Sequence, residues 1–171
     1  MIDTIRSLLA IGLHPKRQIQ ELWAHEQAEK QRYRSTAFHF LTLDTATGRL
    51  LAVLGTECEA RLTGLESFAS TMDMPKPQCE GVTRSLTSLA HDDEPITVAR
   101  RQFSKTIAAA KRAQHFYEAM CESNCTLALQ AFLHDGFHQK RAEHRLLLEH
   151  FDTLRLETLR LPASTSSSPN S

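Results

Sequence analysis

A carboxylate on the apolar face of a helix needs a counter-charge, and Glu26 is such a carboxylate. It stands in the segment HEQAEKQRY, residues 25–33, seven places before Tyr33. It also falls in register with Ile19, Leu22, Trp23, Tyr33, Ala37 and Phe40, which recur at three- and four-residue steps. A second segment, AAAKRAQHFY at residues 108–117, has Ala110 seven places before Tyr117. A buried ionised acid is tolerated only beside a metal or a cationic side chain. Arg61 lies one turn after Glu57 and closer to the middle of the next apolar stripe, where its guanidinium would repel a metal and pair with Glu57 or with Glu26. Other reactive side chains are less organised. Cysteines 58, 79, 121 and 125 form no CxxC and no zinc spacing, although Cys121 and Cys125 are one helical turn apart. No nucleophile elbow and no glycine-rich phosphate loop occurs. His134, His138, Arg141 and Arg145 share one helix face at four-, three- and four-residue steps. That face is either a solvated surface or a cationic strip for an acidic partner, gaining charge as histidines protonate below roughly pH 6.5.

These side chains are positioned by helices. The first is predicted to start after Pro15 and to run to about Leu43, ended by Asp44, Thr45 and Gly48. The second, from about Thr47 to Ser70, has the stripe Leu51, Leu54, Cys58, Leu62, Leu65 and Phe68. Residues 72–95 then hold three prolines, a glycine and acids, and read as a long connection with a short helical turn at 83–90. Asp92 or Asp93 is the expected cap of the third helix, with Pro95 in its first turn. That helix carries Phe103, Ile107, Ala110, Tyr117 and Cys121, with Ala99, Ala113 and Met120 beside them. Its end is either Ser123-Asn124, which leaves Gly136 inside the fourth helix, or Asp135-Gly136. Leu146, Leu147, Phe151 and Leu154 are the expected anchors of the last helix, which Pro162 stops. The expected organisation is one helical-bundle domain over residues 1–161 and a disordered serine-rich tail over 162–171. The fold class is all-α: a four-helix bundle with a long crossover between its second and third helices.

The stretch from Glu26 to Tyr33, then Gly48, then Glu57 within GTECEARLTGLESF resembles the first helical pair of ferritin-like, rubrerythrin-like proteins. Ala113, Phe116 and Tyr117, followed by Asp135-Gly-Phe-His138, resemble the second pair. The resemblance covers roughly residues 16–150. It implies a bundle around a di-iron centre, with a Glu on helices 1 and 3 and Glu-x-x-His on helices 2 and 4. Carried over, the metal ligands are Glu26, Glu57, Asp135 and His138. The histidine due after Glu57 is Ala60, and the acid due on helix 3 is Ala110. Alanine supplies neither the charge nor the nitrogen donor that two iron ions require. A single-metal site would draw on Glu26, Glu57 and either His115 or His138. The pairs His25-Glu29 and His134-His138 are similar to hemerythrin-type ligand pairs, but no further ligands follow in usable order.

Twenty basic and twenty acidic residues cancel, so nothing in the charge balance points to nucleic acid or an anionic membrane. The apolar N-terminal patch MIDTIRSLLAIGL is interrupted by Asp3 and Arg6 and is not read as a signal peptide, and no stretch approaches a membrane span. A cytoplasmic location with reduced thiols is therefore the expectation. The leading reading is a metal-free, cofactor-free bundle of ferritin-like type, with enzyme activity left open. It would act through contact with a protein partner, a second copy of the chain included. The alternative is a rubrerythrin-like oxidoreductase or iron-handling protein that binds iron or another divalent metal.

Overall fold

The computed structural model describes residues 15–73 and 94–160, with side chains to Leu154. Four helices occupy them: α1 (Pro15–Phe40), α2 (Thr45–Thr71), α3 (Pro95–Ser123) and α4 (Leu127–Arg160). No strand occurs among the described residues, and none of these helices is long and apolar enough to cross a membrane. The predicted N-terminal patch, the caps Asp92 and Asp93, the turn at 83–90 and the serine-rich tail lie outside the described residues.

Local chemistry sets the helix ends. Asp44 caps α2: its carboxylate accepts from the Ala46 amide at 3.0 Å and from the Thr47 hydroxyl. Burial works to raise the Asp44 pKa, but those bonds reverse the effect and hold the carboxyl below its ordinary value. Pro95 opens α3, where a missing N–H is harmless. After Ser123 the Asn124 backbone is extended, and its side chain both accepts from the Thr126 amide at 2.9 Å and donates to the Thr126 carbonyl at 3.0 Å. The turn is therefore at Ser123-Asn124, and Gly136 lies inside a continuous α4.

Cross-helix contacts give the directions. Along α1 and α3, Gln18 Nε2 donates to the Met120 carbonyl at 3.3 Å, the Thr36 and Thr106 hydroxyls are 2.9 Å apart, and the Phe40 and Phe103 rings are 5.6 Å apart. Rising numbers on one helix meet falling numbers on the other, so the two are antiparallel. The same holds for α2 and α4 through Thr47–His150 at 2.6 Å, Arg61–Gln139 at 3.0 Å and Phe68–Phe132 at 5.6 Å. Short turns make α1–α2 and α3–α4 antiparallel hairpins, so α2 and α3 point the same way.

Two apolar clusters fill the interior. One gathers Ile19, Leu22, Trp23, Leu62, Leu65, Tyr117, Met120, Leu129 and Leu133. The other gathers Tyr33, Phe40, Leu51, Leu54, Phe103, Ile107 and Leu147. The stripes predicted for the first three helices are largely those that are buried. One expected anchor of the last helix needs correction. Leu146 is 44% exposed, because the inward positions of α4 run 129, 133, 136, 140, 143 and 147. That register carries Lys140 and Glu143 into the core, between the two apolar clusters.

Gly136 is required by packing. A Cβ there would lie 2.3 Å from Cε1 and 2.8 Å from Cδ1 of Tyr117, whose ring rests on the α4 backbone. Gly55 is different, since a Cβ would meet Arg34 Cγ at 3.5 Å, an ordinary contact. The two glycine-to-alanine substitutions therefore have opposite expected signs. Gly136→Ala should lower the free energy of urea unfolding by about 1–3 kcal/mol, the range for overpacking. Gly55→Ala should raise it by up to about 1 kcal/mol through helix propensity.

Candidate functional site

The layer between the apolar clusters is ionic, and each helix contributes to it. α1 supplies Glu26 and Tyr33, α2 supplies Cys58 and Arg61, α3 supplies Tyr117, and α4 supplies Lys140 and Glu143. Glu26 and Lys140 have no exposed surface, and Arg61 and Glu143 are each 6% exposed. Arg61 Nε donates to Glu26 Oε2 at 3.0 Å. Arg61 Nη2 approaches Glu143 Oε1 to 2.8 Å, an ion contact off the hydrogen-bonding direction, so that oxygen accepts no directed bond. The Lys140 ammonium lies 3.2 Å from Glu26 Oε1 and 3.3 Å from Glu143 Oε2. The Tyr117 hydroxyl donates to Glu26 Oε1 and the Tyr33 hydroxyl to Glu143 Oε2, both at 3.0 Å. Two carboxylates thus face two cations, and the layer is neutral as a set.

Electrostatics follow from this geometry. Burial alone would raise the Glu26 pKa, but Lys140 and then Arg61 outweigh it and hold the carboxyl below its ordinary value. Burial works to lower the Arg61 pKa, and Glu26 and Glu143 reverse that, so the guanidinium stays charged. Both phenols are pushed well above the ordinary tyrosine value, first by burial and then by the carboxylates they donate to. Burial lifts the Cys58 thiol to about 12, so it is no nucleophile at neutral pH. His25, stacked on Phe116 with ring centroids 4.0 Å apart, is lowered by burial from 6.5 to about 3. Its Nε2 is buried without a hydrogen-bond partner.

The sequence-predicted site residues separate. Glu26 is fully buried and paired with the cations, whereas Glu57, Asp135 and His138 are exposed. Glu57 and Asp135 do share a shallow cleft of about 220 Å³ with Ala60, Arg61, Phe132 and Gln139. Ala110 is buried within the second apolar cluster. Among the described residues, no three His, Cys, Asp or Glu side chains are arranged to hold a metal ion. His134, His138, Arg141 and Arg145 are all exposed on α4, and Arg145 pairs with Glu149 at 2.7 Å. Lys140, next in sequence to Arg141, instead points inward. Lys140, Glu143 and Cys58 are the site residues that sequence reasoning passed over. The signal was present on α4, where 140 and 143 continue the three- and four-residue steps of Leu133, Gly136 and Leu147. Comparison with protein-family models, with curated proteins and with solved structures returns no match.

Removing one member of a buried ion set leaves the others uncompensated. Arg61→Ala is expected to destabilise the chain by about 3–5 kcal/mol, measured by denaturant unfolding. Glu57→Ala, at an exposed position, should change stability by less than about 0.5 kcal/mol.

His25 imposes a pH dependence of definite sign. Its folded pKa of about 3 lies below the ordinary 6.5, so the unfolded chain binds the extra proton between those values. Stability is then complete above about pH 6.5 and falls as pH drops toward 3, by up to ~1.4 kcal/mol per unit. Glu26, also depressed, adds a loss only below the ordinary carboxylate range. Unfolding titrations at pH 7, 6 and 5 should show the histidine limb in the native sequence and lose it in His25→Gln.

Proposed function

We propose that this protein is a metal-free bundle of ferritin-like type that acts through protein contact. The observation that carries this reading is the placement of Arg61 and Lys140 against both Glu26 and Glu143. A di-iron centre needs bridging carboxylates and nitrogen donors around vacant cation positions. In this bundle two side-chain cations lie against the interior carboxylates. Ala60 and Ala110 stand where the family motif has ligands. The residues present therefore do not fit a di-iron group. The ferritin-like assignment is supported by the parallel course of α2 and α3, which requires a connection running back along the bundle, and by the length of the segment between Thr71 and Pro95.

Contact falls to the surface. The strip of His134, His138, Arg141 and Arg145 is solvent-accessible over its whole length. A complementary acidic partner would be steered to it, with association weakening as salt screens the charges. Apolar side chains are also open at the α1–α2 turn, where Phe38 is 73% and Leu41 57% exposed.

Metal analysis separates this reading from a rubrerythrin-like iron protein. The chain purified without chelator should hold far less than two iron atoms, and added Fe²⁺ should leave its unfolding midpoint unchanged. Near-stoichiometric iron pairs with the absorption of an oxo-bridged centre would overturn the metal-free reading. For the strip, Arg141→Glu with Arg145→Glu should preserve helicity and abolish partner capture in a low-salt pull-down. Recovery of the same partners at the same yield would make the strip ordinary surface.

A further inference from the structure

We infer that the outer face of α3, with Arg141 and His144 of α4 beside it, is a docking band for a short acidic polypeptide segment. The inference rests on the protein-contact reading and moves the contact from α4 to the α3–α4 seam. Every exposed position of α3 from Arg100 to His115 is basic except Ser104 and Ala108. The bases are Arg100, Arg101, Lys105, Lys111, Arg112 and His115, and no acid stands between Glu94 and Glu118. The chain as a whole has twenty basic and twenty acidic residues, so this concentration of charge is local. On the α1–α2 hairpin, Arg17, Lys30, Arg32 and Arg34 each have a carboxylate partner. Among the described residues, Lys105, Lys111, Arg112 and Arg141 have none. Of these four unpaired cations three belong to α3, whereas Arg145 of α4 is already held by Glu149.

The two helices bring their charges to one seam. Partial burial, then Lys111 and His115, hold the His144 pKa below its ordinary value, so the α4 imidazole sits in the field of the α3 bases. Arg141, one turn before His144, is exposed on the same side of α4. Acids close both ends of the band. Glu118 and Glu122 follow His115 and are exposed, with Glu118 3.2 Å from the His115 ring. At the other end stand Glu94, just before α3, and Glu149 and Asp152 of α4, which flank Phe151 where its ring packs 5.8 Å from that of Phe103. From Arg100 to His115 the band is about 22 Å long at the helical rise. An extended segment covers that length in about seven residues. The bounded length selects the partner. A nucleic-acid backbone carries its charge past both ends and would run onto the carboxylates, whereas a short run of aspartates and glutamates stops where the bases stop. The α3 face also exposes no aromatic ring between Arg100 and His115 on which a base could stack.

Labelled oligoglutamates of about three, seven and fourteen residues probe the band on the full chain, with binding followed by fluorescence anisotropy at low salt. Affinity should rise from the shortest peptide to the middle one and then level off. Lys111→Glu with Arg112→Glu should weaken the middle peptide by at least about tenfold, because attraction becomes repulsion. Lys111→Gln with Arg112→Gln should weaken it in the same direction by less. Lys16→Glu with Arg49→Glu, at exposed positions of α1 and α2, makes the same change in net charge and should leave the affinity as it was. Equal loss in both charge-reversed pairs, affinity that climbs steadily with peptide length, or no binding of any oligoglutamate overturns the band. Loss confined to Arg141→Glu with Arg145→Glu overturns it too, but leaves the α4 strip and the protein-contact reading standing. Tighter binding of a short DNA duplex or of phosphatidylserine vesicles than of the peptides would overturn both.

Discussion

Two carboxylates inside a helical bundle must be neutralised where they stand, and the rest of this molecule is arranged around that requirement. Moving an ion from water into an apolar interior costs several kcal/mol unless partners surround it. Glu26 and Glu143 meet the requirement with a guanidinium from α2, an ammonium from α4 and one phenol each. Those partners come from all four helices, so the bundle cannot close without bringing the set together. The apolar clusters on either side keep water out and so strengthen each contact.

The two helical hairpins repeat one device. Tyr33 of α1 and Tyr117 of α3 are both fully buried, and each donates a 3.0 Å hydrogen bond to an interior carboxylate. Seven places earlier the repeat breaks, with Glu26 in one hairpin and Ala110 in the other. The missing acid is offset across the core, where Glu143 of α4 provides the second carboxylate. Gly136 completes the arrangement by letting the Tyr117 ring lie against α4 so that its hydroxyl reaches Glu26.

Much of the architecture was legible because helical periodicity and capping are local. Asp44, Pro95 and the Ser123-Asn124 turn act within a few residues of themselves. The contact of Arg61 with Glu26 was also legible, since both lie on otherwise apolar stripes. The other half of the site was not. Lys140 follows Gln139 and precedes Arg141, and in that company a lysine reads as surface. Its inward direction depends on the phase of a helix more than thirty residues long, interrupted by Gly136, whose place inside α4 was one of two alternatives. Glu57 misled for the opposite reason: it resembles the acid of a Glu-x-x-His motif that Ala60 leaves incomplete, yet it sits one position off the buried Cys58 and is exposed. Motif spacing describes a ligand set, whereas helix phase decides which side chains enter the core.

The ionic layer also acts on alignment along the bundle axis. Leucine and alanine surfaces pack acceptably at several offsets, and a helix that slips by one turn moves 5.4 Å while still presenting an apolar stripe. With Glu26, Arg61, Lys140 and Glu143 in the seam, the same slip breaks the contacts that the slipped helix makes with its neighbours, now 2.8–3.2 Å. The layer therefore singles out one offset among several that hydrophobic packing alone would accept, in the way that a lone polar residue fixes the register of a coiled coil.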